Sequence, residues 1–288
     1  MKIWMDGKLV DKARAKVSVF DHGVLYGDGV FEGIRAYGGR IFQVHAHIDR
    51  LIASAASIRL KMPYGKAALI KAIRATMKAN KLADCYIRLV ITRGEGTLGL
   101  NPFKCRRPCV FCIADQIELY PKAMYDNGMP AIIAKTLRTS ATMLNPSIKS
   151  LNYLNNIMAK IECIDAGVSE AIMLNADGNV AEATGDNIFA VLGGRLVTPP
   201  VSAGFLIGIT RSVVIRLAGK LGIPLDERDI KPDELLAADE VFMTGTAAEV
   251  IGVSRINGKA IGAGKVGPIT RRLMEAFHEF TRSPEAEG

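Results

Sequence analysis

Cysteine is scarce: Cys85, Cys105, Cys109, Cys112 and Cys163 are spread over 288 residues, odd in number and too few to brace a disulfide scaffold, which fits a reducing compartment. No apolar run approaches the roughly 18 residues of a transmembrane helix. The opening Met1-Lys2-Ile3-Trp4-Met5-Asp6-Gly7 carries no apolar signal-peptide stretch, so a cytoplasmic protein is expected. Basic clusters are also missing. The net charge is +8, yet the basic residues are scattered and never run longer than Arg106-Arg107 or Arg271-Arg272, which argues against a nucleic-acid track and leaves an anionic small substrate as the simpler reason for the sign. No low-complexity tract or short repeat occurs, and with 49% apolar and 23% charged residues a disordered chain is excluded.

What is present reads as two groups of elements. Strands flank Asp6-Gly7 as a hairpin, and Val30 to Tyr37, Gly38-Gly39 and Arg40 to Phe42 repeat the pattern. His45 to Leu60 and Lys66 to Asn80 carry apolar residues at helical spacing, before strands at Cys85 to Thr92 and Pro108 to Ala114. Grouped helices on an antiparallel sheet make a small α+β domain over residues 1–116, with a connector at 117–127 around Pro121, Asn127 and Gly128. A larger domain follows over 128–288. Within it, strands are expected at Ala131 to Lys135, Ala171 to Leu174, Asn187 to Leu192 and Glu240 to Met243, and helices at Tyr153 to Gly167, Arg211 to Leu221 and Pro268 to Thr281. Ser283 to Gly288 reads as a frayed tail.

Several constellations compete for the chemistry. Cys105-x3-Cys109-x2-Cys112 has the spacing that holds an iron–sulfur cluster in radical enzymes using S-adenosylmethionine, but Cys109 to Ala114 has the composition of a buried strand. On a strand Cys109 and Cys112 face opposite ways and behave as small hydrophobes. His45-x-His47 falls short of a zinc ligand set, so no metal is expected. Gly94-x-Gly96-x-x-Gly99 follows a strand without opening a helix, and Asn101-Pro102 cuts it short; it reads as a loop. Two segments suit an anion better. Gly208-Ile209-Thr210-Arg211-Ser212 precedes an apolar-periodic helix and leaves the Ile209 and Thr210 amides as donors at the positive end of its dipole, and Thr244-Gly245-Thr246-Ala247-Ala248-Glu249 offers hydroxyls and amides at a turn after a buried strand. Each is equally an ordinary helix cap or turn on its own. Lys149, at an irregular entry to the helix that follows, is a candidate nucleophile, with a surface lysine as the alternative.

Read in order, Tyr26-Gly27-Asp28-Gly29-Val30-Phe31-Glu32-Gly33, His47-Ile48-Asp49-Arg50-Leu51, Tyr86-Ile87-Arg88, Lys149-Ser150-Leu151-Asn152-Tyr153, Glu182-Ala183-Thr184-Gly185-Asp186-Asn187, Gly208-Ile209-Thr210-Arg211 and Gly245-Thr246-Ala247-Ala248-Glu249 resemble the branched-chain amino acid aminotransferases of the fold-type IV pyridoxal-phosphate family. The likeness covers nearly the whole chain. It implies a two-domain fold, a small α/β sandwich-like domain and a larger pseudo-barrel that binds pyridoxal 5'-phosphate. It also implies ping-pong transamination between leucine, isoleucine or valine and 2-oxoglutarate through pyridoxamine phosphate; D-amino acid or (R)-amine transamination and aminodeoxychorismate lyase activity are the alternatives within the fold type. Lys149 would be the nucleophile and general base, Glu182 the partner of the pyridine nitrogen, and Tyr153 the partner of the cofactor's phenolic oxygen. Arg50, Ile209, Thr210, Gly245 and Thr246 would hold the phosphate, with Leu206 also lining the cofactor site. Tyr86, Arg88 and the Thr246 and Ala247 amides would meet the substrate carboxylate, and Tyr26, Phe31 and Leu100 its side chain. A homodimer or higher homo-oligomer is implied, since the Gly99-Leu100 loop in such enzymes reaches the partner subunit's site. Two features depart from parts of the family: Tyr153 follows Lys149 by four residues, as in one branch only, and Trp4 being the sole tryptophan, the pocket-wall tryptophan of some relatives is missing.

Overall fold

Asp6 and Gly7 both take positive φ, 44° and 93°, and fold β1 (Lys2–Met5) onto β2 (Lys8–Asp11) as an antiparallel hairpin. The computed structural model describes residues 1–117 and 120–288. Its contacts divide the chain into two units, one of Met1–Ile117, Ile148–Asn152 and Thr281–Gly288, the other of the remaining residues.

The first unit continues with α1 (His22–Tyr26), β3 (Gly29–Tyr37), β4 (Arg40–Ile41), α2 (Val44–Ser57), α3 (Lys66–Asn80), β5 (Cys85–Thr92) and β6 (Cys109–Asp115). Its six strands form one antiparallel sheet in the order β2-β1-β6-β5-β3-β4. The helices follow the expected periodicity: α2 buries Val44, His47, Ile48, Leu51, Ser54 and Ala55, and α3 buries Leu69, Ala72, Ile73, Thr76 and Met77. α2 packs on β3 and α3 on β1, β6 and β5, in one core with Val30, Ile34 and Ala36 of β3 and Ile87, Leu89 and Ile91 of β5.

Glu32 lies on that same apolar face and is fully buried. It is retained there by α2, which supplies His47 Nδ1 to Oε2 at 2.8 Å, Arg50 Nε to Oε1 at 2.7 Å and Arg50 Nη2 to Oε2 at 2.8 Å. The chain end is not frayed as the sequence suggests. Pro284–Ala286 forms a 3-10 turn, and the Ala286 and Glu287 carbonyls accept from the Gln43 and Val44 amides at 2.6 and 2.9 Å, satisfying donors at the start of α2 where no side chain caps it.

The second unit contains α4 (Lys122–Asn127), β7 (Met129–Ile133), α5 (Leu154–Asp165), β8 (Glu170–Leu174), β9 (Val180–Ala183), β10 (Asn187–Leu192), β11 (Arg195–Thr198), α6 (Ile209–Lys220), β12 (Leu225–Glu227), α7 (Pro232–Leu236), β13 (Glu240–Gly245), β14 (Glu249–Ile256), β15 (Lys259–Ala260) and α8 (Pro268–Arg282). The sheet order is β12-β11-β10-β13-β14-β7-β8-β9, with β15 on β14. Pairing is parallel at β11/β12, β14/β7 and β7/β8 and antiparallel elsewhere. The sheet curls so that β9 returns alongside β10, the form expected of the larger domain.

The division differs from the expected 1–116, 117–127 and 128–288. Of the connector, residues 118 and 119 lie outside the described residues, whereas Tyr120 is buried in the second unit and α4 packs on β14. Ile148–Asn152 belongs to the first unit because it pairs along β3: Phe31 N–H donates to Lys149 O at 3.0 Å and Leu151 N–H to Gly29 O at 2.9 Å.

Burial alone would raise the Glu32 pKa, but Arg50 and His47 together pull it down to about 2 from 4.5. The carboxylate therefore stabilises the fold above pH 4.5, and that contribution is lost as pH falls toward 2. Urea unfolding of the native chain and Glu32→Gln should show their stability gap closing across this window by on the order of 3 kcal/mol; parallel pH profiles would contradict the pairing.

Candidate active site

In the first unit the site is a matter of strand alternation. Phe31, Gly33 and Arg35 lie on the face of β3 opposite the core, and the register sets Gly33 against Arg88 and Arg35 against Tyr86 on β5. Tyr86 lies across β3 because position 33 is glycine: a Cβ there would stand 1.9 Å from the Tyr86 hydroxyl. Arg88 donates from Nη2 to that hydroxyl at 3.3 Å, and its guanidinium carbon sits 4.6 Å from the centre of the Phe31 ring. Lys149 Nζ lies 4.7 Å from the same ring, and the Lys149 backbone N–H donates to Ser54 Oγ at 3.1 Å. An amine, a guanidinium, a phenol and an apolar ring thus meet on one wall, with Arg50 held on Glu32 behind it.

Tyr26 closes α1 and takes a hydrogen bond on its hydroxyl from Gly99 N–H at 2.8 Å, with His22 edge-on to its ring. Leu100 stands in the following loop, 81% exposed. The Gly94-x-Gly96-x-x-Gly99 segment opens no helix and is tied to the loop before α1 by Gly96 N–H to Phe20 O at 3.1 Å. Cys109 and Cys112 fall on opposite faces of β6, and burial pushes both thiols up to about 12, so they are protonated and inert. Among the described residues no group of three His, Cys, Asp or Glu is placed to hold a metal ion.

In the second unit Glu182, on β9, is buried and held at both oxygens: Arg138 Nε donates to Oε1 at 2.6 Å, and Leu206 N–H to Oε2 at 3.2 Å. Arg138 is itself fixed by Nη1 on Thr139 Oγ1 at 3.1 Å and Asn155 Oδ1 at 3.0 Å. Tyr153 occupies the position before α5. Helix α6 begins at Ile209, two residues earlier than its apolar pattern suggests, so Ile209 and Thr210 supply its first amides, with no side chain capping them. Gly208 is required at this entry, since a Cβ would stand 2.0 Å from Asn187 Oδ1, whose amide nitrogen donates to Leu206 O at 2.9 Å. Thr246 and Ala247 form the turn between β13 and β14, after Gly245.

Thr210 is buried and its hydroxyl has no partner in the protein, as is true of Thr244 beside the turn. Uncapped amides at the positive end of a twelve-residue helix and a buried, unpartnered hydroxyl on its second residue are a donor set that fits a phosphate. Arg138 was not visible to sequence reasoning, because its partner is 44 positions away. Glu32 and His47 lie within the quoted motifs, but only the fold gives them a contact.

The chain matches the class IV amino-transferase family over residues 29–256. A Methanocaldococcus jannaschii protein is 50% identical over 280 residues, covering 97% of this chain and 96% of that one. The branched-chain-amino-acid aminotransferase of Pseudomonas aeruginosa is 36% identical, covering 96% of this chain and 92% of its own. Among solved structures, the T.th. branched-chain amino acid aminotransferase with pyridoxamine 5'-phosphate superposes with a TM-score of 0.95 at 38% identity, over 100% of this chain and 96% of that one. The same enzyme complexed with N-(5'-phosphopyridoxyl)-L-glutamate and with 4-methylvaleric acid superposes at 0.94 in each case. A family match over most of the chain, full-length relatives and a fold shared from end to end place this chain in the class IV aminotransferase family.

Proposed function

We propose that this protein is a pyridoxal-phosphate-dependent aminotransferase that moves the amino group between the branched-chain L-amino acids leucine, isoleucine and valine and 2-oxoglutarate. The observation that carries the substrate reading is the wall of Phe31, Tyr86, Arg88 and Lys149, where an amine stands beside both an apolar ring and a guanidinium that suits a carboxylate. In support, the T.th. enzyme is solved with N-(5'-phosphopyridoxyl)-L-glutamate and with 4-methylvaleric acid, so a protein of this fold holds both an acidic and a branched aliphatic chain. Free cysteines throughout agree with a reducing cytoplasm as its setting.

Pyridoxal phosphate, when bound, supplies a reactive aldehyde and a ring that withdraws electrons from the substrate Cα. Lys149 Nζ would be the amine that holds that aldehyde, with release of water, and the base that carries the proton leaving Cα. Glu182, held by Arg138, would partner the ring nitrogen and favour its protonated form, and Tyr153 would donate to the phenolic oxygen. Ile209, Thr210, Gly245 and Thr246 would be phosphate ligands in the second unit and Arg50 one in the first; Leu206 fixes Glu182 from its backbone. Arg88, Tyr86 and the Thr246 and Ala247 amides receive the carboxylates of the substrates, and Phe31 and Tyr26 the aliphatic side chain.

We further infer a homodimer. Helix α5 exposes Leu154 (68%), Ile157, Met158, Ile161 and Ile164 (63%) at helical spacing, an apolar stripe that a monomer does not leave in water, and Leu100 projects from its loop in the same exposed state.

The visible absorbance of the purified protein should shift into the near ultraviolet with L-leucine, return with 2-oxoglutarate and ignore D-alanine. A response to D-alanine alone would overturn the substrate class. Lys149→Ala should abolish turnover and borohydride trapping of the cofactor on the chain with an unchanged unfolding midpoint. Glu182→Gln should keep the cofactor yet slow the L-leucine half-reaction by roughly 100- to 1,000-fold in stopped flow; a native rate would remove Glu182 from its role. Light scattering should give twice the chain mass, falling to the single-chain mass in Ile157→Glu/Ile161→Lys.

A further inference from the structure

We propose that Glu32 and His47 are positioning residues for the cofactor phosphate: from the core side of β3 they lock the Arg50 guanidinium in the orientation that meets the phosphate. The inference rests on the reading above that Arg50 serves that group. His47 and Arg50 are three residues apart on α2 and so project onto one carboxylate. Glu32 receives the Nε and Nη2 edge of Arg50 as a two-point fork and His47 Nδ1 as a third bond. With one edge tied at two points, a planar guanidinium on a flexible stem no longer rotates, and the ordering that an anion would otherwise impose on binding is already in place.

The arrangement puts a carboxylate and an imidazole where the core is otherwise apolar. Glu32 is fully buried beside Val30, Ile34, Ile48 and Leu51, a setting in which an apolar side chain of similar volume commonly gives a more stable fold. His47 adds a second penalty. Burial holds its pKa below the ordinary value, although Glu32 pulls the other way, so the ring is neutral and gives its one N–H to Glu32. Nε2 is then left as a buried acceptor with no partner in the protein. Neither group faces solvent, and both commit their hydrogen bonds to the Glu32–Arg50 contact, which points to orientation of Arg50 as their purpose.

The test is to strip the full chain of cofactor and measure dissociation constants by absorbance for pyridoxal 5'-phosphate and for pyridoxal, which lacks the phosphate. Glu32→Gln and Arg50→Gln should each weaken pyridoxal phosphate by about 10- to 100-fold while pyridoxal changes little, erasing the preference for the phosphorylated form. The double variant should be no weaker than Arg50→Gln alone, since Glu32 acts through Arg50. His47→Asn, whose amide nitrogen stands near the place of Nδ1, should keep the preference, and His47→Leu should lose part of it. If Arg50→Gln keeps the preference, the reading of Arg50 itself fails. If Arg50→Gln loses it while Glu32→Gln retains it, or if the two losses add, the phosphate reading stands and the positioning role is overturned. Equal weakening of both ligands by Glu32→Gln would mark a structural role and overturn it as well. Should Glu32→Gln not fold, the contrast between His47→Asn and His47→Leu decides.

Discussion

The two-residue period of β3 is the constraint on which the first unit depends. Val30, Ile34 and Ala36 go one way, into the helices, and Phe31, Gly33 and Arg35 the other, so a single nine-residue strand both closes the core and builds the reactive wall. A slip of one residue would exchange the two sets. Glu32 is the exception within the pattern, a carboxylate on the apolar side, and it is the one place where the core reaches through to a residue of the wall's chemistry. The pairing of Ile148–Asn152 along the same strand, with the Lys149 N–H on Ser54 Oγ, then holds Lys149 against Phe31.

The second unit solves its problem with donors instead of alternation. Helix α6 starts without a side-chain cap, and a helix N-terminus left uncapped is an anion site unless water takes it. The buried hydroxyl of Thr210, with no partner among the described residues, adds a further group that needs one beside those amides, because burying a hydroxyl unpaired is strongly unfavourable. Glu182 repeats the device seen at Glu32: a buried carboxylate held by an arginine, here through one bond, with the Leu206 amide as the second point. In each unit the arginine is what makes a buried carboxylate tolerable, and the fixed geometry offsets the desolvation it entails.

Local pattern carried much of this. The periodicities of α2 and α3, the alternation of β5 and β10, and the Asp6-Gly7 turn are each decided by neighbours a few residues away, and each lies within two or three residues of its expected place. The open start of α6 at Ile209 and the turn after β13 were legible for the same reason. The misplaced features depend on distant contacts: the tail is ordered because the start of α2 needs acceptors, α4 because β14 offers it a surface, and Arg138 gains its meaning from Glu182 on another strand. The cysteine spacing failed as a metal motif for a local reason, since a strand sends positions three apart to opposite faces.

On the proposed reading, one pocket must accept an isobutyl or sec-butyl group in one half-reaction and a carboxylate in the other. Arg88 over Phe31 offers a physical route. A guanidinium is weakly hydrated and planar; stacked on a ring it presents a flat face that an aliphatic chain can cover with little desolvation penalty, and an edge that donates to a carboxylate. A lysine in its place would be a hydrated point charge, hostile to the aliphatic substrate. Gly33 matters to the same end, because only without a Cβ there can Tyr86 lie across the strand, and Tyr86 accepts the hydrogen bond that holds the Arg88 plane on the ring. The tolerance for two substrate types therefore traces to a glycine that binds neither.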